Sequence, residues 1–150
     1  MSTMTAPQLD SRTFKIEQEI RVRASLEVTF NALLEQLGPG FEKDDGAPMP
    51  FKLEAWPGGR WFRDLGDGNG HWWANVQAIK RPTLLEFSGP LMMSVPIVNN
   101  VQYRLSEQSG ETLIRFYHSG FGEVSEEHKK GMNGGWNSII ENVRKRAERA

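Results

Sequence analysis

Residues 128–138 read HKKGMNGGWNS and begin the most regular amphipathic segment of the chain. From this stretch onward the apolar residues recur at intervals of four, four, three and four: Met132, Trp136, Ile140, Val143 and Ala147. That spacing places side chains on one face of an α-helix, over about six turns. Ser125 precedes the pattern and is a favourable N-cap. The sequence therefore predicts a long C-terminal helix with one buried stripe.

The same stretch contains three glycines that local propensity disfavours. Gly131, Gly134 and Gly135 each cost a helix about 1 kcal/mol relative to alanine. Gly131, Gly135 and Ser138 lie at i, i+4 and i+7, so the helix has one nearly bare edge. A bare edge lets a strand, a loop or a ligand approach the backbone closely. We therefore predict that other parts of the fold pack closely against the helix here. Burial of a large side chain such as Trp136 offsets the roughly 3 kcal/mol of lost helix propensity.

The N-terminal part of the chain predicts one strand and one helix. Residues 13–24 alternate between apolar and charged side chains, as in a strand with one buried face. Ser25 is a favourable N-cap, and apolar residues then recur at helical spacing over residues 26–37. Gly38 and Pro39 end that pattern.

A series of short strands follows the loop at residues 40–50. The predicted strands are FKLEAW (51–56), RWFRDL (60–65), HWWANVQAI (71–79), LLEFS (84–88), VQYRLS (101–106) and TLIRFYH (112–118), separated by turns rich in Gly and Pro. This order predicts an α+β fold: one antiparallel sheet of about six or seven strands, closed by the C-terminal helix. We expect a single domain over residues 13–150, preceded by a disordered leader at residues 1–12.

The composition excludes several classes of function. Lys and Arg number 18 against 19 Asp and Glu, which argues against a protein that grips nucleic acid. The absence of cysteine excludes disulfides, thiolate metal sites and cysteine nucleophiles. No apolar run approaches the roughly 20 residues of a membrane-spanning helix, and the N-terminus has no signal-peptide pattern. We therefore expect a cytoplasmic protein without stable membrane association.

The segment GDGNG (66–70) resembles a phosphate-binding loop but connects two predicted strands. Dinucleotide and P-loop fingerprints instead connect a strand to a helix, so this segment is predicted to be a hairpin turn. The histidines and acidic residues do not form a pattern typical of a metal site. We predict neither a metal nor another cofactor.

Four segments, in their order along the chain, resemble a known superfamily. They are PGGRW (57–61), ANVQAIKRPTLLEF (74–87), TLIRFYHSGF (112–121) and GGWNSII (134–140). The chain is similar to the SRPBCC superfamily, which has the START-like or helix-grip fold, from about Thr13 to Arg146. Its closest resemblance is to the family related to the C-terminal domain of the activator of the heat-shock protein 90 ATPase.

The resemblance implies a curved antiparallel sheet wrapped around the C-terminal helix, with a ligand cavity between them. Many relatives have a tryptophan-rich segment after the first helix, where this chain has Gly40, Phe41 and a charged loop. The predicted concave faces of the strands and helix, together with the apolar link GPLMMSVP (89–96), give a set of candidate ligand-binding residues. They are Trp61, Arg63, Trp72, Phe87, Met93, Tyr103, Phe116, His118, Met132, Trp136 and Ile140.

Each of these residues also has a structural interpretation. About half of the aromatic side chains must simply fill the core. Arg63 would need an anion if it were buried, from the protein or from a ligand, but nothing if it were exposed. His118 is either a ligand-binding group or a capping histidine bonded to backbone. Met93 is either part of a gate over the cavity or core filler.

Three functions are consistent with the sequence. The first is a binding protein, without catalytic residues, for a small hydrophobic or amphipathic molecule, lipid-like or polyketide-like. The second is a co-chaperone-like protein whose partner is the heat-shock protein 90 chaperone. The third is an enzyme of the polyketide cyclase or aromatase kind, in which His118, Tyr103 or Arg63 would polarise carbonyls.

Overall fold

The computed structural model describes residues 12–91 and 93–150. The predicted leader, apart from Arg12, and Met92 lie outside the described residues. The elements in chain order are β1 (Thr13–Val22), α1 (Leu26–Leu37), β2 (Lys52–Leu53), β3 (Arg60–Gly66), β4 (Asn69–Lys80), β5 (Leu84–Gly89), β6 (Ile97–Gln108), β7 (Glu111–Gly122) and α2 (Glu126–Arg149).

The strands form one antiparallel sheet with the order β1-β7-β6-β5-β4-β3-β2. Its longest pairing is the β6–β7 hairpin, in register from Ile97 opposite Gly122 to Gln108 opposite Glu111. The predicted α+β architecture, a curved antiparallel sheet around a long C-terminal helix, is confirmed. The buried stripe of α2 packs against the inner face of the sheet and against α1.

Both helices begin at the serines that the sequence predicts. The Ser25 hydroxyl accepts a hydrogen bond from the Val28 N–H at 3.2 Å. The Ser125 hydroxyl likewise accepts from the His128 N–H at 3.1 Å. Each bond satisfies one of the N–H groups that the first turn of a helix leaves without a partner.

A β-bulge in β4 changes the face on which its tryptophans lie. Trp61 pairs with Ala74 while Phe62 pairs with Trp72, so Trp73 is an extra residue opposite β3. As a result Trp73 and Ala74 are both buried, whereas Trp72 is 49% exposed. The prediction that Trp72 lies on the concave side is therefore wrong, because one inserted residue reverses the alternation on one side of the bulge. Trp73 takes the inner position.

The predicted close approach of a strand or loop to the glycine edge of α2 is also wrong. A Cβ atom added at Gly131, Gly134 or Gly135 would meet no neighbouring atom within 4 Å. The close approach to backbone occurs instead at Gly120 of β7, where an added Cβ would collide with the ring of Phe14. The glycines of α2 therefore border open space rather than packed atoms.

Candidate ligand pockets beside the C-terminal helix

A chain of buried hydrogen bonds joins α2 to the sheet. The Trp136 indole Nε1 donates to His118 Nδ1 at 2.9 Å, and His118 Nε2 lies 2.7 Å from Asn99 Oδ1. The Asn99 amide Nδ2 donates in turn to the carbonyl of Gly89 at 3.1 Å. These contacts link α2 to β7, β6 and β5.

Burial and bonding determine the protonation state of His118. Its side chain is fully buried, and burial lowers its pKa from 6.5 to about 4. The ring is therefore neutral at pH 7. Because Nδ1 accepts from Trp136, the single proton lies on Nε2, which donates to Asn99. Both ring nitrogens form hydrogen bonds with side chains, and neither is hydrogen-bonded to the backbone of the loop after β7.

Several of the candidate residues are almost completely buried. Each of these side chains is at most 2% exposed: Trp61, Phe87, Tyr103, Phe116, His118, Trp136 and Ile140. Trp61 stacks on Phe87 at 4.8 Å between ring centroids, and its Nε1 donates to the Leu37 carbonyl at 2.6 Å. Phe116 lies 4.9 Å from both Tyr103 and Trp136. These rings hold the sheet against the two helices.

A cavity of about 480 Å³, the helix pocket, opens between the segment after α1 and the first turns of α2. Its apolar lining consists of Phe41, Met49, Trp73, Met132, Trp136 and Ile139, together with the backbone at Gly131 and Gly135. Glu42, Lys43, Asp44 and Asp45 complete the lining on the side of the loop. Of the candidate residues, Met132 and Trp136 lie here.

The open space beside α2 explains two of its glycines. Gly131 and Gly135 line the helix pocket, and nothing lies within 4 Å of a Cβ added at either position. Side chains at these two positions would project into the cavity. Their absence leaves bare helix backbone as one wall of the helix pocket.

A second cavity of about 500 Å³, the strand pocket, lies beside the β3–β4 hairpin and the link that follows β5. Three candidate residues line it: Arg63, Trp72 and Met93. The remaining lining residues are Met49, Gly70, His71, Trp73, Pro90, Leu91 and Ser94. Met49 and Trp73 line both pockets, so they form the wall between them.

The sequence analysis missed much of the lining of the helix pocket. Simple alternation in β4, with Trp72 on the inner face, places Trp73 on the outer face and does not reveal the bulge. Phe41 and Met49 belong to the predicted loop at residues 40–50 and are not among the candidate residues. The sequence feature that lies in this region is the glycine edge of α2, and a Cβ atom added at Gly131 or Gly135 would meet no strand or loop within 4 Å.

A sheet wrapped around one long helix, with an apolar pocket beside that helix, defines the helix-grip class of proteins. The match to a family model extends over residues 23–148, and its description is activator of Hsp90 ATPase homolog 1-like protein. The chain belongs to this family, as the resemblance implied. No curated protein matches the chain by sequence.

Solved structures share the fold at low sequence identity. Protein MLL2253 from Mesorhizobium loti has a TM-score of 0.71 and 18% identity, with 91% of this chain and 98% of that one covered. The Aha1 dimer from Colwellia psychrerythraea has a TM-score of 0.64 and 17% identity, with 90% and 96% covered. The di-domain ARO/CYC StfQ of the steffimycin biosynthetic pathway has a TM-score of 0.70 and 9% identity. The match covers 95% of this chain but about half (53%) of StfQ.

Residues 12–91 and 93–150 contain neither a cluster of metal-ligating side chains nor a membrane-spanning helix. In these ranges no three His, Asp or Glu side chains are grouped so as to hold a metal ion. None of the helices described is both long and apolar enough to cross a bilayer.

Because His118 is buried in its neutral form, the folded state should become less stable as the pH falls. The unfolded chain takes up the His118 proton near pH 6.5, but the folded chain does so only near pH 4. The free energy of unfolding should therefore fall as pH falls between these values, by up to about 3 kcal/mol. Urea denaturation at several pH values measures this loss.

His118→Gln can keep a donor and an acceptor in the network but cannot titrate. We expect this variant to be less stable at pH 7 and to lose less stability than the wild type between pH 6.5 and 4.5. The matched control is His71→Gln, since His71 is an exposed histidine, and it should retain the wild-type pH dependence. An unchanged pH dependence in His118→Gln would contradict the assignment.

Proposed function

We propose that this protein binds a small hydrophobic or amphipathic molecule in the helix pocket. The observation that carries the proposal is an apolar cavity with one wall of glycine backbone, on a helix that would be more stable with alanine. Its volume, about 480 Å³, lies within the range of about 300–1,000 Å³ that is usual for ligand sites. Packing does not require glycine at Gly131 or Gly135, and a side chain at either position would project into this cavity.

The lining of the helix pocket indicates how such a ligand would lie. Trp73, Trp136 and Phe41 offer aromatic surface, and Met49 and Met132 are flexible side chains that adapt to different shapes. The charged side chains all come from residues 42–45. We infer that the apolar part of the ligand lies against Trp73 and α2, with any polar group directed towards the loop.

Binding without chemistry is favoured over a cyclase reaction. StfQ is described as an ARO/CYC protein, and a likeness at 9% identity carries only the fold. Of the three side chains considered for polarising carbonyls, His118 and Tyr103 are buried in the core and line neither pocket. The Tyr103 hydroxyl has no hydrogen-bond partner within the described residues, and burial raises its pKa. A phenol held in this way stays protonated.

The helix pocket is tested by filling it from α2. Gly135→Leu should keep the fold, since open space surrounds the position, and should abolish ligand binding by occupying the cavity. The measurement is the melting temperature with lipids, sterols, flavonoids and polyketide-like aromatics. At least one of these classes of compound should raise the melting temperature of the wild type by several degrees at saturation.

The matched control is Gly134→Leu, which places the same side chain at the preceding position, outside the lining of the pocket. This variant should respond to the ligand as the wild type does. The proposal fails if no class of compound stabilises the wild type. It fails equally if Gly135→Leu responds to the ligand as strongly as Gly134→Leu.

A second candidate function is that of a co-chaperone, and membership of the activator family favours it. In that case the protein would act through its surface on the ATPase of the cognate heat-shock protein 90. Added in excess, it should increase the ATPase rate, and Gly135→Leu should do so as well because the helix pocket takes no part. An unchanged rate would eliminate this candidate.

A further inference from the structure

Arg63 is held against the aromatic core at the edge of the strand pocket. Its guanidinium carbon lies 5.7 Å from the centroid of the Phe51 ring. Phe51 is itself buried and packs against Trp61 and Trp73, with ring centroids 5.5 Å and 4.6 Å away. A guanidinium over an aromatic face is stabilised by cation–π attraction and has fewer orientations available. The positive charge of Arg63 is therefore preorganised.

Among residues 12–91 and 93–150, Arg63 has no counterion. The neighbouring acidic groups are already paired: Asp64 with Lys52 at 2.8 Å and Glu54 with Arg60 at 2.8 Å. Across residues 12–91 and 93–150, no carboxylate lies within ion-pair distance of Arg63, and its buried Nε has no hydrogen-bond partner. A buried charged donor without a partner is costly. An anion in the strand pocket would offset the positive charge of the guanidinium through its Nη groups.

The strand pocket is suited to an anion in the rest of its lining as well. His71 lies directly opposite Arg63 in the β3–β4 pairing, and Ser94 adds a hydroxyl. The described residues of this lining include no carboxylate. The helix pocket, by contrast, has three carboxylates in its lining, from Glu42, Asp44 and Asp45. The linings of the two pockets therefore differ in charge, and only that of the strand pocket is free of carboxylates among the described residues.

We infer that the strand pocket binds the carboxylate of a small aromatic acid, with Arg63 as its anchor. The two Nη groups of Arg63 would donate two parallel hydrogen bonds to the two carboxylate oxygens. The apolar part of the acid would lie against Trp73, which is among the residues that line this cavity. This inference goes beyond the proposed function, because it concerns a separate pocket and specifies the charged group of the ligand.

The test compares an acid with a neutral molecule of similar shape. The probes are 2-naphthoate and 2-naphthalenemethanol, titrated by calorimetry into the wild type and Arg63→Gln. Loss of the charge-assisted bonds should weaken 2-naphthoate binding by about 10-fold or more, with less than a 2-fold effect on the alcohol. The matched control is Arg104→Gln, an exposed arginine that lines neither pocket, and it should bind both probes like the wild type.

Arg63→Lys keeps the charge but removes the two-pronged donor. It should bind 2-naphthoate more weakly than the wild type, and it serves as the test variant if Arg63→Gln does not fold. The inference is overturned if the wild type does not bind 2-naphthoate or binds both probes equally. It is also overturned if the Arg63 variants bind the acid as the wild type does.

The two ligand proposals can fail separately. Gly135 lines the helix pocket and not the strand pocket, so Gly135→Leu should bind 2-naphthoate like the wild type. Loss of 2-naphthoate binding in Gly135→Leu, with retention in Arg63→Gln, would place the acid in the helix pocket. That result would overturn the inference and support the proposed function.

Discussion

The hydrogen-bonded chain from Trp136 through His118 and Asn99 is the constraint on which the rest of the structure depends. Each of its groups is buried and would be costly without a partner. Together they connect one residue of α2 to three neighbouring strands. Hydrophobic contacts along α2 are tolerant of small rotations, whereas a chain of directional bonds is not. We conclude that this network sets the rotation of the helix about its axis.

Once Trp136 points at His118, the positions of the other side chains of α2 follow from helical geometry. Met132 and Ile140 lie one turn away on the same buried stripe. Gly131 and Gly135 fall at the side of that stripe, facing the segment after α1. The glycines therefore coincide with the place where sheet and helix are not in contact. In this way the buried network that orders the helix also positions the open cavity beside it.

The architecture was accessible from the sequence because its signals are local. Apolar spacing, the serine caps and glycine-rich turns predicted the element order, and this order allows few ways of packing one sheet against one long helix. The candidate site was less accessible because it depends on pairing between distant residues. The bulge at Trp73 exists only relative to β3, and it exchanges the roles of Trp72 and Trp73. The lining contributed by Phe41 and Met49 has no periodic pattern at all. The sequence placed Arg63 and Met132 on the inner faces of their elements, because Arg63 follows the alternation of β3 and Met132 follows the helical spacing of α2.

The central claim concerns His118, and ring-nitrogen NMR tests it most directly. ¹⁵N spectra of the histidines between pH 7 and 4 report both the tautomer and the pKa of each ring. The account requires His118 to be neutral with its proton on Nε2 at pH 7, and to titrate near pH 4. The Trp136 indole proton should be protected from exchange in the same samples. A proton on Nδ1, or a His118 pKa near the ordinary value of about 6.5, would contradict the account.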